Sequence, residues 1–382
     1  MAKKSKVGLK VPTKNEILKK YGGMMRLASE TVESNLWLPS TFFSLNYTFG
    51  GGIPFGKILE VAGEESSGKS LIAYNFAYAC QQLGGHVIWV DAEQSWMNSW
   101  AETNGVDPEK VTVLNDTRIE YISDAVADLA IYLRSQLTHN EPILLVIDSI
   151  AAMDCADNID SKMVEGKAEM GGRAKALYKY FRIRSELFYK LGVTQIYINQ
   201  LRTALNVGFG KDNTTTTGGA ALKFYASIRA AFYSGRSITV KQKGKERKAG
   251  KLVTIRLIKN KVAPPRPTIS KCPVYFNPKF HEVGFDRCYA LEDVLVENGI
   301  IEKSSGGVYK FKGKTLARGE EKFQKLLEED DELRRKLLRK AEINTIGTTR
   351  KKIVALTTNL YSVDEVEYES YNDSEDEEEE DE

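Results

Sequence analysis

Residues Gly63-Glu64-Glu65-Ser66-Ser67-Gly68-Lys69-Ser70 follow directly on the apolar run Lys57–Ala62. They lead into a helix-forming stretch over 69–83. The spacing G-x-x-x-x-G-K-[ST] between a strand and a helix is a phosphate-binding loop. A loop of this kind aims backbone N–H groups and a helix N-terminus at phosphate oxygens. Gly63 through Ser70, with Leu71 behind them, would cradle a nucleoside triphosphate. Lys69 would neutralise the β- and γ-phosphates and Ser70 would ligate Mg2+. The motif requires a strand, a tight turn and a helix in that order, so it constrains the fold as well as the ligand.

The rest of the chain supplies the matching pattern. HVIWVD (86–91), PILLVID (142–148) and TQIYINQ (194–200) read as buried strands, with helices at about 121–137 and 171–190 between them. Continuous apolar strands separated by helices indicate an α/β fold, a mostly parallel sheet covered on both faces. Segments around 227–233 and 251–258 alternate and extend that sheet as hairpins. Gly50-Gly51-Gly52 and Pro54 form the turn into the loop strand. Thr13 and Glu16 give a capping box for a short helix within 13–26, with Leu18 and Tyr21 on one face and Gly22-Gly23 to close it. A helix with so few apolar positions docks on something else, such as a neighbouring subunit. Pro264, Pro265, Pro267, Pro273 and Pro278 mark a boundary, beyond which 289–345 reads as a small helical module with one hairpin.

Two carboxylates fit the loop. Asp148 ends the strand PILLVID, where it would hold the water shell of the metal. Glu93 follows the strand HVIWVD, well placed to orient a water toward a γ-phosphate. A surface glutamate or a helix N-cap is the plainer reading of Glu93. His86, His139 and His281 occur in no ligand spacing, so no metal is assigned to them.

Composition narrows the class. No apolar run approaches the roughly 18–20 residues that cross a bilayer, and the basic N-terminus has no apolar segment behind it to act as a secretory signal. Cys80, Cys155, Cys272 and Cys288 lie far apart, as thiols of a reducing cytoplasm do. The net charge of +2 conceals a split. Residues 364–382 hold 13 of the 52 acidic residues and no Lys or Arg, so the preceding 363 residues carry +15. A basic body on an acidic tail suggests a polyanion-binding surface with its own competitor attached, or else a tail that merely solubilises. The tail lacks the apolar content to fold alone.

What the nucleotide drives depends on residues 199–229, NQLRTALNVGFGKDNTTTTGGAALKFYASIR. A strand ends in Asn199-Gln200, and a long Gly/Thr/Asn-rich loop follows with one aromatic, Phe209, and the basic Arg202 and Lys211. Such a loop is too polar for a core and too long for a connector. It suits contact with a phosphodiester backbone. The segment closely resembles the second DNA-binding loop of the bacterial RecA family of strand-exchange recombinases, phage members included. The resemblance extends to KKYGGMMRLAS, GGIPFGKILEVAGEESSGKS, VDAEQ, LLVIDSIAAM, TIRLIKNKVAPP and ENGIIEKSSGGVYKFKGKTLARGEEKF, about 340 residues in all.

The resemblance implies roles for matching positions. Lys69, Ser70, Glu93 and Asp148 take the parts argued above, Trp100 would stack on adenine, and Gln200 would sense the γ-phosphate. Lys259 and Lys261 would reach across the subunit boundary to a neighbour's ATP, with Lys223 and Phe224 as interface residues. In a first DNA loop, roughly 163–172, Met170 would wedge between groups of bases, with Gly171, Gly172 and Arg173 beside it. Lys175 and Arg182 would face DNA phosphates. Arg202, Leu205, Phe209, Thr216, Thr217, Gly218 and Gly219 belong to the second loop. Lys211-Asp212-Asn213 stands where the family more usually has Asn-Pro-Glu. Met170 and Phe209 as apolar anchors, and Lys259 and Lys261 as a solvated face, are the plainer alternatives.

The resemblance thus implies a cytoplasmic, DNA-stimulated ATPase using ATP and Mg2+. It would form a helical filament on single-stranded DNA, pair it with duplex DNA and exchange strands, aided by single-strand-binding and loader proteins. The organisation implied is an N-terminal segment with an oligomerisation helix (1–40), a RecA-type ATPase core (41–285), a small α+β C-terminal domain (286–346) and a disordered acidic tail (347–382). A ring-shaped motor on the same fold, or a non-catalytic filament mediator, remain alternatives. The first would show closed rings, the second no joint molecules.

Overall fold

The computed structural model describes residues 13–21, 36–160, 171–203, 214–242, 244–264, 268–286 and 288–346. The chain divides into two units, Met1–Asn35 and Leu36–Glu382. In the first, α1 (Lys14–Tyr21) is started by the capping box that the sequence announced. The Thr13 N–H donates to Glu16 Oε2 at 2.8 Å, and the Glu16 N–H donates back to Thr13 Oγ1 at 3.3 Å. Gly22 and Gly23 lie outside the described residues.

The second unit opens with a small antiparallel pair, β1 (Trp37–Leu38) and β2 (Ile53–Pro54), around the buried helix α2 (Phe43–Phe49). The loop strand β3 (Ile58–Gly63) then feeds α3 (Lys69–Gln82), followed by β4 (His86–Asp91) and α4 (Asn98–Thr103). β5 (Val111–Leu114), α5 (Ile119–Gln136), β6 (Ile143–Asp148), α6 (Ala156–Asp160) and α7 (Gly172–Leu191) come next. β7 (Val193–Thr203), β8 (Thr214–Thr216), α8 (Ala221–Tyr225), β9 (Ile228–Gln242) and β10 (Lys245–Asn260) complete the middle of the chain. β11 (Ile269–Tyr275) and β12 (Gly284–Phe285) end the main sheet.

Across that sheet the strand order is β12-β11-β10-β9-β3-β7-β6-β4-β5, with β8 attached to β7. From β9 to β5 all neighbours are parallel, while β10, β11 and β12 add antiparallel. The proline-rich stretch expected as a boundary therefore still contributes a strand. Pro273 sits in β11 opposite Leu252, near the sheet edge, where a missing N–H is tolerated.

Alternation assigns the faces. Val87, Trp89, Leu144, Val146, Ile196 and Ile198 pack with α3 into one apolar cluster. Ile88, Val90, Leu145, Ile147 and Tyr197 point the other way and pack with α5 and α7. Period-2 burial on both faces is what near-continuous apolar strands produce. A third cluster is built around α9 (Leu291–Glu297), the strands β13 (Glu302–Lys303), β14 (Val308–Phe311) and β15 (Lys314–Arg318), and helices α10 (Glu320–Glu329) and α11 (Asp331–Ile346). Its centre is Tyr309 stacked on Phe323 at 4.4 Å, and Phe43 of α2 joins it.

Candidate nucleotide site and nucleic-acid interface

The carboxyl ends of β3, β4, β6 and β7 meet at one edge of the sheet, where the topology of an open α/β sheet puts ligands. The register pairs Asp91 with Asp148 and Gly63 with Gln200. The sheet therefore sets Gln200 abreast of the first loop glycine, and Asp148 abreast of the residue two before Glu93.

The loop is packed closely at its glycines. A Cβ on Gly63 would fall 2.5 Å from Ser67 Oγ and 2.8 Å from Phe232 O, so nothing larger than glycine is accommodated. Gly68 caps α3 at φ 89°, left-handed backbone that glycine adopts freely. Ser67 Oγ and Lys69 Nζ both donate to the Glu64 carbonyl, at 2.8 and 2.6 Å. Burial lowers the pKa of Lys69, opposed by the nearby carboxylates of Asp148, Glu93, Glu65 and Glu64.

Asp148 is 4 % exposed, and burial pushes its carboxyl up to about 6. The Ser70 hydroxyl bonded to it and the charge of Lys69 work against that rise, while Glu93 and Asp91 add to it. A hydroxyl and a carboxylate side by side are the hard oxygen donors that suit Mg2+. A buried carboxylate in a negative surround also gains most from a cation.

Glu93 is exposed at the mouth of this cluster. Its Oε1 accepts a hydrogen bond from Ser149 Oγ, and its backbone N–H donates to the Asp148 carbonyl at 3.3 Å. Asp91, 3 % exposed, accepts from the backbone N–H groups of Ser95 and Trp96, at 2.9 Å each, and so shapes the turn that carries Glu93. Trp100 lies half-buried on α4 against the first apolar cluster. Asp91 and Ser149 fall inside the stretches VDAEQ and LLVIDSIAAM, but the sequence alone gives neither a role.

Lys259 and Lys261 do not join the cluster. Gly63 lies opposite Phe232, whereas Leu59 lies opposite Ile228, which in turn pairs with Asn260. The two lysines therefore sit about four strand residues, or about 13 Å, from the level of the loop, toward the opposite edge of the sheet. Lys259 Nζ donates to the carbonyls of Lys223 and Phe224 at 2.7 and 3.2 Å. Its pKa is lowered by burial and by Lys261 and Arg229 beside it. Phe224 is 70 % exposed.

The base of the second loop is more ordered than its composition suggests. β7 runs on through Arg202 to Thr203 and pairs antiparallel with β8, Leu201 opposite Thr216 and Arg202 opposite Thr215. Arg202 is exposed and Thr216 buried. The Asn199 amide donates to Glu60 Oε1 at 3.0 Å and to the Thr217 carbonyl at 3.1 Å, and its Oδ1 accepts from Thr217 Oγ1 and the Gln200 N–H. Glu60, 1 % exposed, is held by the Arg229 guanidinium. Lys223 Nζ donates to Thr215 Oγ1 at 3.1 Å. Gly218 and Gly219, at φ 86° and 77°, close the loop against α7, where a Cβ on Gly218 would meet Leu177 at 2.9 Å. Leu205, Phe209 and Lys211 lie outside the described residues, as does Met170 of the first loop.

Gly171 caps α7 and Gly172 packs against Cys155, where a Cβ would come within 2.8 Å of Sγ. Arg173 is engaged with Asp154 at 3.7 Å. Lys175 and Arg182 are exposed and seven residues apart, on one face of α7.

Comparison with known proteins settles the family. Residues 11–277 match the family model of the RecA N-terminal domain. Protein RecA of Saccharopolyspora erythraea is 35% identical over 321 residues, 83% of this chain and 87% of that protein. Protein RecA of Nitratidesulfovibrio vulgaris is 32% identical over 364 residues, 92% and 94% of the two chains. The chain belongs to the RecA family. As a RecA-family protein it is a DNA-dependent ATPase and strand-exchange recombinase of homologous recombination. It uses ATP with Mg2+, binds single- and double-stranded DNA, and assembles as a homo-oligomeric filament. Among the described residues no helix is long and apolar enough to cross a membrane.

Proposed function

We propose that this RecA-family protein, working in the cytoplasm, completes each nucleotide site from two protomers. One contributes the loop 63–71, Glu93, Asp148, Trp100 and Gln200. Its neighbour contributes Lys259 and Lys261, with Lys223 and Phe224 at the boundary. The observation that carries this reading is the sheet register, which sets the two lysines toward the opposite edge from their own loop. A cation that distant cannot stabilise charge on its own protomer's phosphates, yet it is well placed for an adjoining copy. The four buried free thiols support a reducing compartment.

Within the site, Lys69 exchanges the Glu64 carbonyl for phosphate oxygens, and Trp100 offers its ring face to the adenine. Ser70 and Asp148 hold Mg2+, which when bound screens phosphate charge and polarises the leaving group. Glu93 orients and deprotonates a water in line with the γ-phosphorus, while Ser149 fixes the carboxylate. Lys259 and Lys261 of the neighbour meet the charge that develops in the transition state. Gln200 touches the γ-phosphate and passes its presence along β7 to Arg202 and the second DNA loop. There Leu205, Phe209 and residues 216–219 grip the strand. Met170, Lys175 and Arg182 act from the first loop and α7, contacting backbone rather than reading sequence. ATP and single-stranded DNA therefore bind with positive coupling.

Mixing tests the shared site. Glu93→Gln and Lys259→Ala each abolish DNA-stimulated hydrolysis alone. Mixed in equal amounts they recover activity at about a quarter of the boundaries, where an intact glutamate faces an intact lysine. No recovery in mixed filaments would refute the two-protomer site.

A further inference from the structure

The phosphate loop is braced from outside by a strand that carries no motif. β9 and β10 continue beyond the rest of the sheet as a two-stranded ribbon, leaving Arg236, Lys241, Lys245, Arg247 and Lys248 exposed with one acidic residue, Glu246. The ribbon rises from the edge that bears Gly63, because Phe232 of β9 is paired with Gly63 and the strand runs on from there. At its base it bonds to the loop three times. The Glu64 N–H donates to the Phe232 carbonyl at 3.3 Å, the Ser234 N–H donates to Glu64 Oε2 at 3.1 Å, and Lys251 Nζ donates to the Ser66 carbonyl at 3.3 Å.

The third contact falls where the loop is least relaxed. Ser66 has φ 55°, a left-handed conformation that a residue with a Cβ holds only when its surroundings enforce it. That turn decides how the amides from Ser66 to Ser70 are presented. Lys251 is half-buried on β10, so its ammonium reaches the loop across β9 at modest entropic cost. Ser67 and Lys69 hold the Glu64 carbonyl from the helix side, and Lys251 holds the next strained carbonyl from the sheet side.

We propose that Lys251 is a positioning residue of the nucleotide site: it fixes the left-handed turn at Ser66 and sets a second positive charge beside the loop, favouring bound polyphosphate. The inference rests on the loop being the nucleotide site. Lys251 acts on the loop in the ground state and the transition state alike, so its loss weakens nucleotide binding and leaves turnover at saturation nearly intact.

The test uses the full-length protein with saturating single-stranded DNA. It measures KM and kcat for ATP, and equilibrium binding of Mg2+ with a fluorescent ADP. Lys251→Met should raise KM and the ADP dissociation constant about tenfold with kcat changed less than about twofold. Lys251→Arg should restore both constants, because a guanidinium can still reach the carbonyl. Lys248→Met, which removes a ribbon charge away from the loop, should behave as wild type. Lys251→Met with wild-type KM, a fall in kcat at unchanged KM, no rescue by Arg, or an equal effect at Lys248 would each overturn the assignment. Full nucleotide binding by Lys69→Ala would instead remove the site reading, and the role of Lys251 with it.

Discussion

Glu93, the proposed general base, illustrates how a carboxylate is aimed by its neighbours. It is exposed, so its reactivity depends on aim more than on burial, and Ser149 supplies the aim through the bond to Oε1. Glu93→Gln should retain ATP binding and lose turnover by about 10²–10⁴. Ser149→Ala should lower kcat by about tenfold with KM little changed. Single-turnover hydrolysis separates the two effects, and equal rates in Ser149→Ala and wild type would deny the serine its part. Asp148 sits at the opposite extreme of burial. Its carboxyl is raised to about 6 when folded, against 3.8 as a free side chain. Between about pH 4 and 6 the folded state therefore holds a proton that the unfolded state has lost, and stability falls as pH rises through that window. Asp148→Asn should flatten this dependence and raise nucleotide-free stability at pH 7 by roughly 1–3 kcal/mol. Melting temperatures across pH 4–8 in the absence of Mg2+ would show it, and a variant no more stable than wild type at pH 7 would contradict it.

At the scale of elements, what could be read from the chain was whatever depends on neighbours in sequence. The loop 63–70, the strand ends at Asp91 and Asp148, the helices either side and the Thr13–Glu16 box all declare themselves within a dozen residues. Pairings across long separations did not. Ser149 bonds a residue 56 positions away, Arg229 one 169 away, and Lys251 one 185 away. β11 was hidden by prolines that its place next to the sheet edge tolerates, and β5 by its shortness. The second loop was read as irregular because threonine and glycine dominate it, yet β7 carries three residues past Gln200 and β8 returns to meet them. That hairpin base is pinned to α7 at Gly218. Gly218→Val combines a φ of 86° with a Cβ 2.9 Å from Leu177, at a cost of about 1–3 kcal/mol. Its expected signature is weakened single-strand binding with ADP affinity preserved. Equal losses of both would mean that the turn supports the whole core.

For the molecule as a whole, charge is partitioned. The first 363 residues carry +15 and the last 19 carry 13 acidic groups. Removing 364–382 should tighten duplex DNA binding and lower the Mg2+ concentration at which it occurs, an effect that fades as salt rises. Titrations at two ionic strengths decide the point, and identical curves for full-length and shortened protein would make the segment a solubiliser.

The proposed joining of copies through opposite borders of one sheet has a last consequence. A chain of such copies is directional, and its two tips are chemically unlike: at one, a phosphate cradle waits without foreign ammonium groups, and at the other the ammonium groups point at nothing. Hydrolysis per copy should then be slow on oligonucleotides that seat two or three copies and climb toward a plateau on longer ones, as the unfinished tip becomes a smaller share of the whole. A rate independent of oligonucleotide length would show that every copy is self-sufficient.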